Sequence, residues 1–224
     1  MRNKWVFKEC TSSKENKIKF GDLFNAQISI ATLLNKAFIF KASEDCETMY
    51  QINDSKIEKD ATRPAKSPRN LAYNIKERII FPYFYYEDKL CRYSVDEFEK
   101  KYPETVKYLK NFESELQNRN KDNSAKWFEY GRSQALAHLN QEKLLISTVV
   151  TDNIKVYKLD KKDIPYAGIY ITSKNILPLS KAIKILQSRK FFDYILEIGI
   201  QASGTSLRIT PKDINNFEFD MEEF

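Results

Sequence analysis

Arginine, glutamine, asparagine and lysine are the side chains best suited to reading nucleic acid, and one short stretch concentrates such groups. Residues 127–134 read Trp-Phe-Glu-Tyr-Gly-Arg-Ser-Gln. Trp127 and Phe128 can anchor the segment in a core, with Tyr130 available for packing or for stacking on a base. Gly131 has no Cβ, so the backbone there can turn tightly or approach a neighbour closely. Arg132, Ser133 and Gln134 follow as donors and acceptors. An arginine can fork onto a guanine edge or a phosphate, and a glutamine can do the same for adenine. A strand-turn with a structural salt bridge from Arg132 accounts for the same residues, and on this segment alone it is the simpler account.

Two further groups have the right chemistry. Thr32, Asn35 and Lys36 fall between short apolar runs, where they form either a hairpin turn or a polar tip that touches a ligand. Local features favour the ordinary turn. Lys59 to Asn70 holds Arg63, Lys66 and Arg69 among prolines with almost no apolar residue, and reads as an exposed basic loop. Such a loop is either a solvated linker or a seat for a phosphate backbone. The aromatic cluster ending at Tyr86 could stack on bases, but a hydrophobic wall fits it better.

Other chemistries lack their residues. The five glycines, Gly21, Gly131, Gly168, Gly199 and Gly204, never cluster, so no phosphate-cradling loop is encoded. His138 is the single histidine, and no nucleophile elbow accompanies it. Cys10, Cys46 and Cys91 are far apart, which argues for free buried thiols in a reducing compartment over a zinc site. Asp193 and Glu197 share a helix face, a pattern common on solvated helices. No catalytic constellation emerges. The net charge of +6 permits a phosphate-binding face without requiring one. No stretch approaches the ~20 apolar residues of a membrane helix, and no signal peptide is evident, so a cytoplasmic location is expected.

The elements that must position these groups can be read from periodicity. Ile18 and Phe20 suggest a strand. Gly21 to Lys41 reads as strand, turn, strand, with Ile28 and Ile30 on one face. Glu44 to Glu58 is polar, with Met49, Tyr50 and Ile52 among its few anchors, and Ile75 onward is a strand ending near Pro82. Ser94-Val-Asp-Glu97 is a capping box that starts a helix, and Pro103 starts another. In the second, Val106, Leu109, Phe112 and Leu116 make one stripe ending near Arg119. Leu144–Val150, Ile154–Leu159 and Ala167–Thr172 read as strands. Pro178 to Gly199 reads as one long helix with Gly199 at its C-terminal cap. Gln201 to Ser206 is small, polar and flexible; Leu207–Ile209 and Phe217–Phe219 are short strands, with a helical turn at Thr210-Pro-Lys-Asp213 between them. The expectation is an α+β fold with mixed sheets, a central helical segment and a long C-terminal helix. It divides into a β-rich part (1–90), a helical segment (91–125) and an α/β part (126–224) of one domain.

The order of these motifs resembles the TaqI-like C-terminal specificity domain, or target recognition domain, of adenine-N6 DNA methyltransferases, including fused type II restriction-modification enzymes. The carrying residues are Gly21-Asp-Leu-Phe with Ile30-Ala-Thr and Asn35-Lys-Ala-Phe-Ile, and Tyr102-Pro-Glu-Thr-Val-Lys-Tyr-Leu with Leu116 and Arg119. Trp127 to Gln134, Lys143 to Ser147, Leu179 to Leu196 and Arg208-Ile-Thr-Pro-Lys-Asp-Ile-Asn-Asn-Phe complete them. The chain departs from the family pattern at Ser29 and Leu33, where glycines are frequent, and at Leu186-Gln-Ser188. The resemblance implies a module that recognises double-stranded DNA by sequence, with no cofactor of its own. It implies contacts from Thr32, Asn35 and Lys36, from Tyr130, Arg132, Ser133 and Gln134, and from Ser203, Thr205 and Arg208, to which the charge of the basic stretch adds Arg63, Lys66 and Arg69. S-adenosylmethionine and the methyl-transfer motifs would belong to a methyltransferase catalytic domain or subunit, since neither the glycine-rich loop nor the Asn-Pro-Pro-Tyr-like motif of that domain is in this sequence. The alternatives are a subunit of a split methyltransferase, active only with its partner, and a protein-protein interaction domain without DNA binding.

Overall fold

The computed structural model describes residues 17–41 and 47–223. The apolar piece at Trp5–Phe7, Cys10 and Cys46 lie outside them. The fold is α+β, built on a four-stranded antiparallel sheet in the order β12-β10-β14-β2. Its strands are β2 (Phe24–Ile28), β10 (Lys143–Ile146), β12 (Tyr157–Leu159) and β14 (Ile169–Ser173). Successive side chains on a strand point to opposite faces. Leu144, Ile146, Ile169, Ile171 and Ala26 accordingly enter one core, while Leu145 and Tyr170 enter another. Being covered on both faces, β10 and β14 carry consecutive apolar residues, Leu144–Ile146 and Ile169–Ile171, instead of an alternating pattern.

On the first face lie α1 (Phe20–Leu23), α7 (Leu179–Leu186), α8 (Arg189–Ile198) and α9 (Pro211–Asn215). β1 (Lys17–Lys19) pairs with β17 (Glu218–Asp220) and closes this lobe. A small sheet in the order β11-β16-β15 joins it, from β11 (Val149–Val150), β15 (Ile200–Ser203) and β16 (Ser206–Arg208).

The second face carries a sheet in the order β13-β6-β7-β3, from β3 (Ile39–Lys41), β6 (Thr62–Lys66), β7 (Glu77–Ile80) and β13 (Ile164–Pro165). Two hairpins flank it: β4 (Met49–Ile52) with β5 (Ser55–Glu58), and β8 (Tyr83–Tyr86) with β9 (Lys89–Arg92). The helices here are α2 (Asn35–Phe38), α3 (Pro68–Ala72), α4 (Val95–Lys101), α5 (Pro103–Lys110) and α6 (Glu113–Asn118). The capping box at Ser94 forms as expected: Glu97 N donates to Ser94 Oγ and Ser94 N to the Glu97 carboxylate. Val106, Leu109 and Leu116 are buried, although the chain re-caps between α5 and α6 at Asn111–Phe112.

Several expectations are corrected. Gly21 to Lys41 is no hairpin, because β2 and β3 belong to different sheets. Ile28 is exposed whereas Ile30 is buried in the second core. The chain crosses between lobes at Ser29, whose N and Oγ both donate to Gly168 O. Lys59 to Asn70 is not a loop but contains β6 and α3. Pro64 is tolerated in β6 because β13 pairs only with Ala65 and Lys66 beyond it, leaving that side of Pro64 without a ladder. The polar stretch 49–58 forms the β4–β5 hairpin. Leu144–Val150 breaks at Ser147, whose Oγ accepts from Val149 N. The long helix divides at Gln187, where Ser188 Oγ accepts from Phe191 N and starts α8. Gly199 has extended rather than left-handed backbone. Gln201 to Ser206 is a β-hairpin whose tip, Gly204, has φ 55°. Cys91 is half-buried, not buried.

Candidate nucleic-acid interface

The two most suggestive segments, almost a hundred residues apart, meet. Ala31 and Arg132 form an antiparallel bridge. Gly131 N donates to Thr32 O at 3.1 Å and Arg132 N to Ala31 O at 3.1 Å. The contact is close enough to need a glycine: a Cβ on Gly131 would lie 2.5 Å from Leu33 Cδ1. Leu33 itself holds φ 58°, an uncommon conformation for a branched side chain. The turn that follows is built by Thr32, whose Oγ1 donates to Asn35 Oδ1 at 2.5 Å and accepts from Leu34 N at 3.1 Å.

Individual side chains then separate into those that can face a ligand and those that cannot. Thr32 is 1% exposed and Tyr130 is 0% exposed. Tyr130 donates its hydroxyl to Ile80 O at 2.7 Å and packs edge-on against Phe38 and Tyr83. Burial raises its phenol well above the ordinary value. Both are scaffold in this conformation, not contact groups. Asn35 is exposed beside them, and Lys36 is exposed but pairs with Glu115 at 2.6 Å. Arg132 and Gln134 are exposed, with no side-chain hydrogen bond or ion pair to a described residue, and Ser133 is half-buried. The salt bridge that a purely structural Arg132 would require is not formed among the described residues.

The basic stretch divides similarly. Arg63 is half-buried, with its guanidinium 4.2 Å from the Phe81 ring centroid and 5.0 Å from that of Tyr85. Burial lowers its pKa. Lys66 reaches Asp163 at 3.8 Å. Arg69 is exposed at the start of α3. Only Arg69 of the three remains poised for a phosphate. In the third group Ser203, Thr205 and Arg208 are all exposed on the β15–β16 hairpin.

These groups are linked by a path of neighbours. Arg132 and Gln134 line an open cleft of about 360 Å³ with Ile28, Ala31, Tyr166 and Gly168. Gly168 has φ 97°, and a Cβ there would lie 3.0 Å from Pro68 Cγ, next to Arg69. Pro68 also lines a second cleft of about 320 Å³ with Ser147, Val149, Thr151 and Lys155. Val149 stands directly across the ladder from Arg208, and Arg208 from Ile200. A band of neighbours therefore runs from Arg132, past Arg69, to Arg208 on the β15–β16 hairpin. Sequence reasoning missed Ile28, Val149 and Ile200, branched residues exposed at 56%, 40% and 69% along this band. Their β-branched character marked strands and gave no sign that the side chains would face outward. It also missed the role of Arg119, whose guanidinium holds carbonyls of both meeting segments.

No family model matches the chain, and no curated protein matches it. Among solved structures it is similar to the type IIL restriction-modification enzyme MmeI in complex with DNA, with a TM-score of 0.59 and 10% identity. The match covers 93% of this chain and 26% of that one, so the chain spans about a quarter of the length of that enzyme. At this identity the likeness shows a shared fold. Among the described residues no helix is long and apolar enough to cross a membrane.

Proposed function

We propose that the chain is a sequence-specific recognition module for double-stranded DNA, belonging to a restriction-modification system. The observation that carries this reading is the band of neighbours along which Arg132, Gln134, Arg69 and Arg208, without side-chain partners among the described residues, are brought from distant parts of the chain. Exposed arginines without acidic partners among the described residues suit phosphate and guanine, and Gln134 and Asn35 suit adenine. The fold shared with part of MmeI, itself seen in complex with DNA, supports the same reading. So does the motif order that resembles TaqI-like specificity domains. On this reading adenine-N6 methyl transfer belongs to another domain or subunit. That partner binds S-adenosylmethionine and receives the flipped adenine, while this chain fixes the duplex.

Selection of the purified chain on a randomised duplex library at two salt concentrations tests it. The expected result is an enriched motif with affinity that falls steeply as salt rises. Retention without enrichment would assign recognition to the assembled methyltransferase. No retention at low salt would sink the DNA reading in favour of a protein-binding role.

A further inference from the structure

We propose that Arg119 is the positioning residue of this interface: it sets the spacing between the Thr32–Asn35 turn and the Gly131–Gln134 segment, and thereby which bases Arg132 and Gln134 reach. The inference rests on the DNA-recognition reading for its consequence, but not for its geometry.

Arg119 follows α6 and lies outside both segments. Its guanidinium holds carbonyls from three places at once. Nε donates to Leu116 O at 3.2 Å, Nη1 to Thr32 O at 2.5 Å, and Nη2 to Trp127 O at 3.2 Å and to Glu129 O. Its guanidinium carbon lies over the Phe38 ring, 5.4 Å from the centroid. A guanidinium offers five N–H groups in a rigid plane, whereas a lysine ammonium offers three on a flexible stem. A lysine therefore cannot hold the same four carbonyls with fixed directions. The Glu129 carboxylate does not compete for Arg119, because Arg92 and Lys126 N already occupy it.

Thr32 O is the meeting point. It accepts from Arg119 and also from Gly131 N, so one carbonyl joins α6, the turn and the glycine segment. The segment's other peptide groups are held as well. Tyr130 N donates to the Tyr83 hydroxyl at 2.9 Å, and Gly131 O accepts from Asp122 N at 2.8 Å. The backbone behind Arg132 is thus fixed while its side chain has no partner among the described residues, which is the division that preorganised recognition needs.

The test compares the full chain with R119K, R132A and R208A in the same duplex selection, alongside amide exchange by NMR. In R119K, exchange at Gly131 and Arg132 should accelerate about tenfold more than at Leu145 and Tyr170 of the central sheet. Base preferences that R132A erases should flatten in R119K, while those that R208A erases persist. Equal loss of both sets would mean general weakening and overturn the proposal, as would unchanged exchange and unchanged preferences. In the wild-type protein the Arg119 Nη protons should give separate, slowly exchanging signals. One averaged signal would overturn the clasp without any variant. If the wild type retains no duplex at low salt, the DNA reading fails, and the exchange and Nη results still decide the clasp.

Discussion

At the scale of single residues, the interface separates side chains by whether the fold has already used them. Tyr130, Thr32 and Arg63 have the right chemistry for nucleic acid, but the first two are buried and the third is stacked on Phe81 and Tyr85. Arg132 is exposed and unclaimed by any described residue. Replacing it with Ala should weaken specific binding by about 1–3 kcal/mol and relax preference at one base position, if it forks onto a guanine. Titration of the wild type and R132A against the selected duplex and a single-base variant checks this, and unchanged affinity and unchanged preference in R132A would remove Arg132 from the readers. Side-chain type was legible in the sequence, and so was the clustering around Gly131. Burial was not, because whether Tyr130 faces in or out depends on Phe38 and Tyr83, distant in sequence.

At the scale of elements, local signals succeeded where one residue decides a boundary. Ser94 with Glu97, Pro103, and Thr210 with Asp213 each began a helix as their capping chemistry requires. Reading failed where partners decide. Thr62–Lys66 is charged and carries a proline, yet it is a strand because β7 pairs along it and its cations find ring faces or Asp163. The division at Gln187–Ser188 needs neither Gly nor Pro; a serine cap suffices. Gly168 joins the lobes at the turn into β14, and its replacement by Ala would set a Cβ 2.5 Å from Ile146 O at φ 97°. The strained backbone and the clash together should cost about 3 kcal/mol. Urea denaturation measures it, and a change below ~0.5 kcal/mol, the size of an ordinary surface substitution, would contradict the crowding described.

At the scale of the whole molecule, the aromatic wealth of the sequence becomes a pH limit. Burial pushes the phenols of Tyr85 and Tyr166 up to about 12, and raises Tyr83, Tyr102, Tyr130 and Tyr170 further. An unfolded tyrosine titrates near 10. Above that value the unfolded chain releases protons that the native state keeps, so stability present below pH 10 is lost progressively as pH rises through 12. Tyrosinate absorbance should appear together with loss of secondary structure. Titration of these phenols at pH 10 in the intact fold would contradict their burial. The α+β class was legible from periodicity alone, but the two-lobed arrangement was not. An apolar strand such as Lys143–Ile146 looks the same whether it lines one core or divides two.

That dividing sheet has a consequence for target geometry. Arg132 and Arg208 belong to opposite ends of the band, and the lobes behind them share strands instead of a hinge. The sheet shared by both cores resists a change in their separation. Inserting one base pair between the two halves of a selected target shifts them by ~3.4 Å along the duplex and rotates one relative to the other. Such a lengthened site should bind as poorly as one with several mismatches, even though every base read by either end is still present.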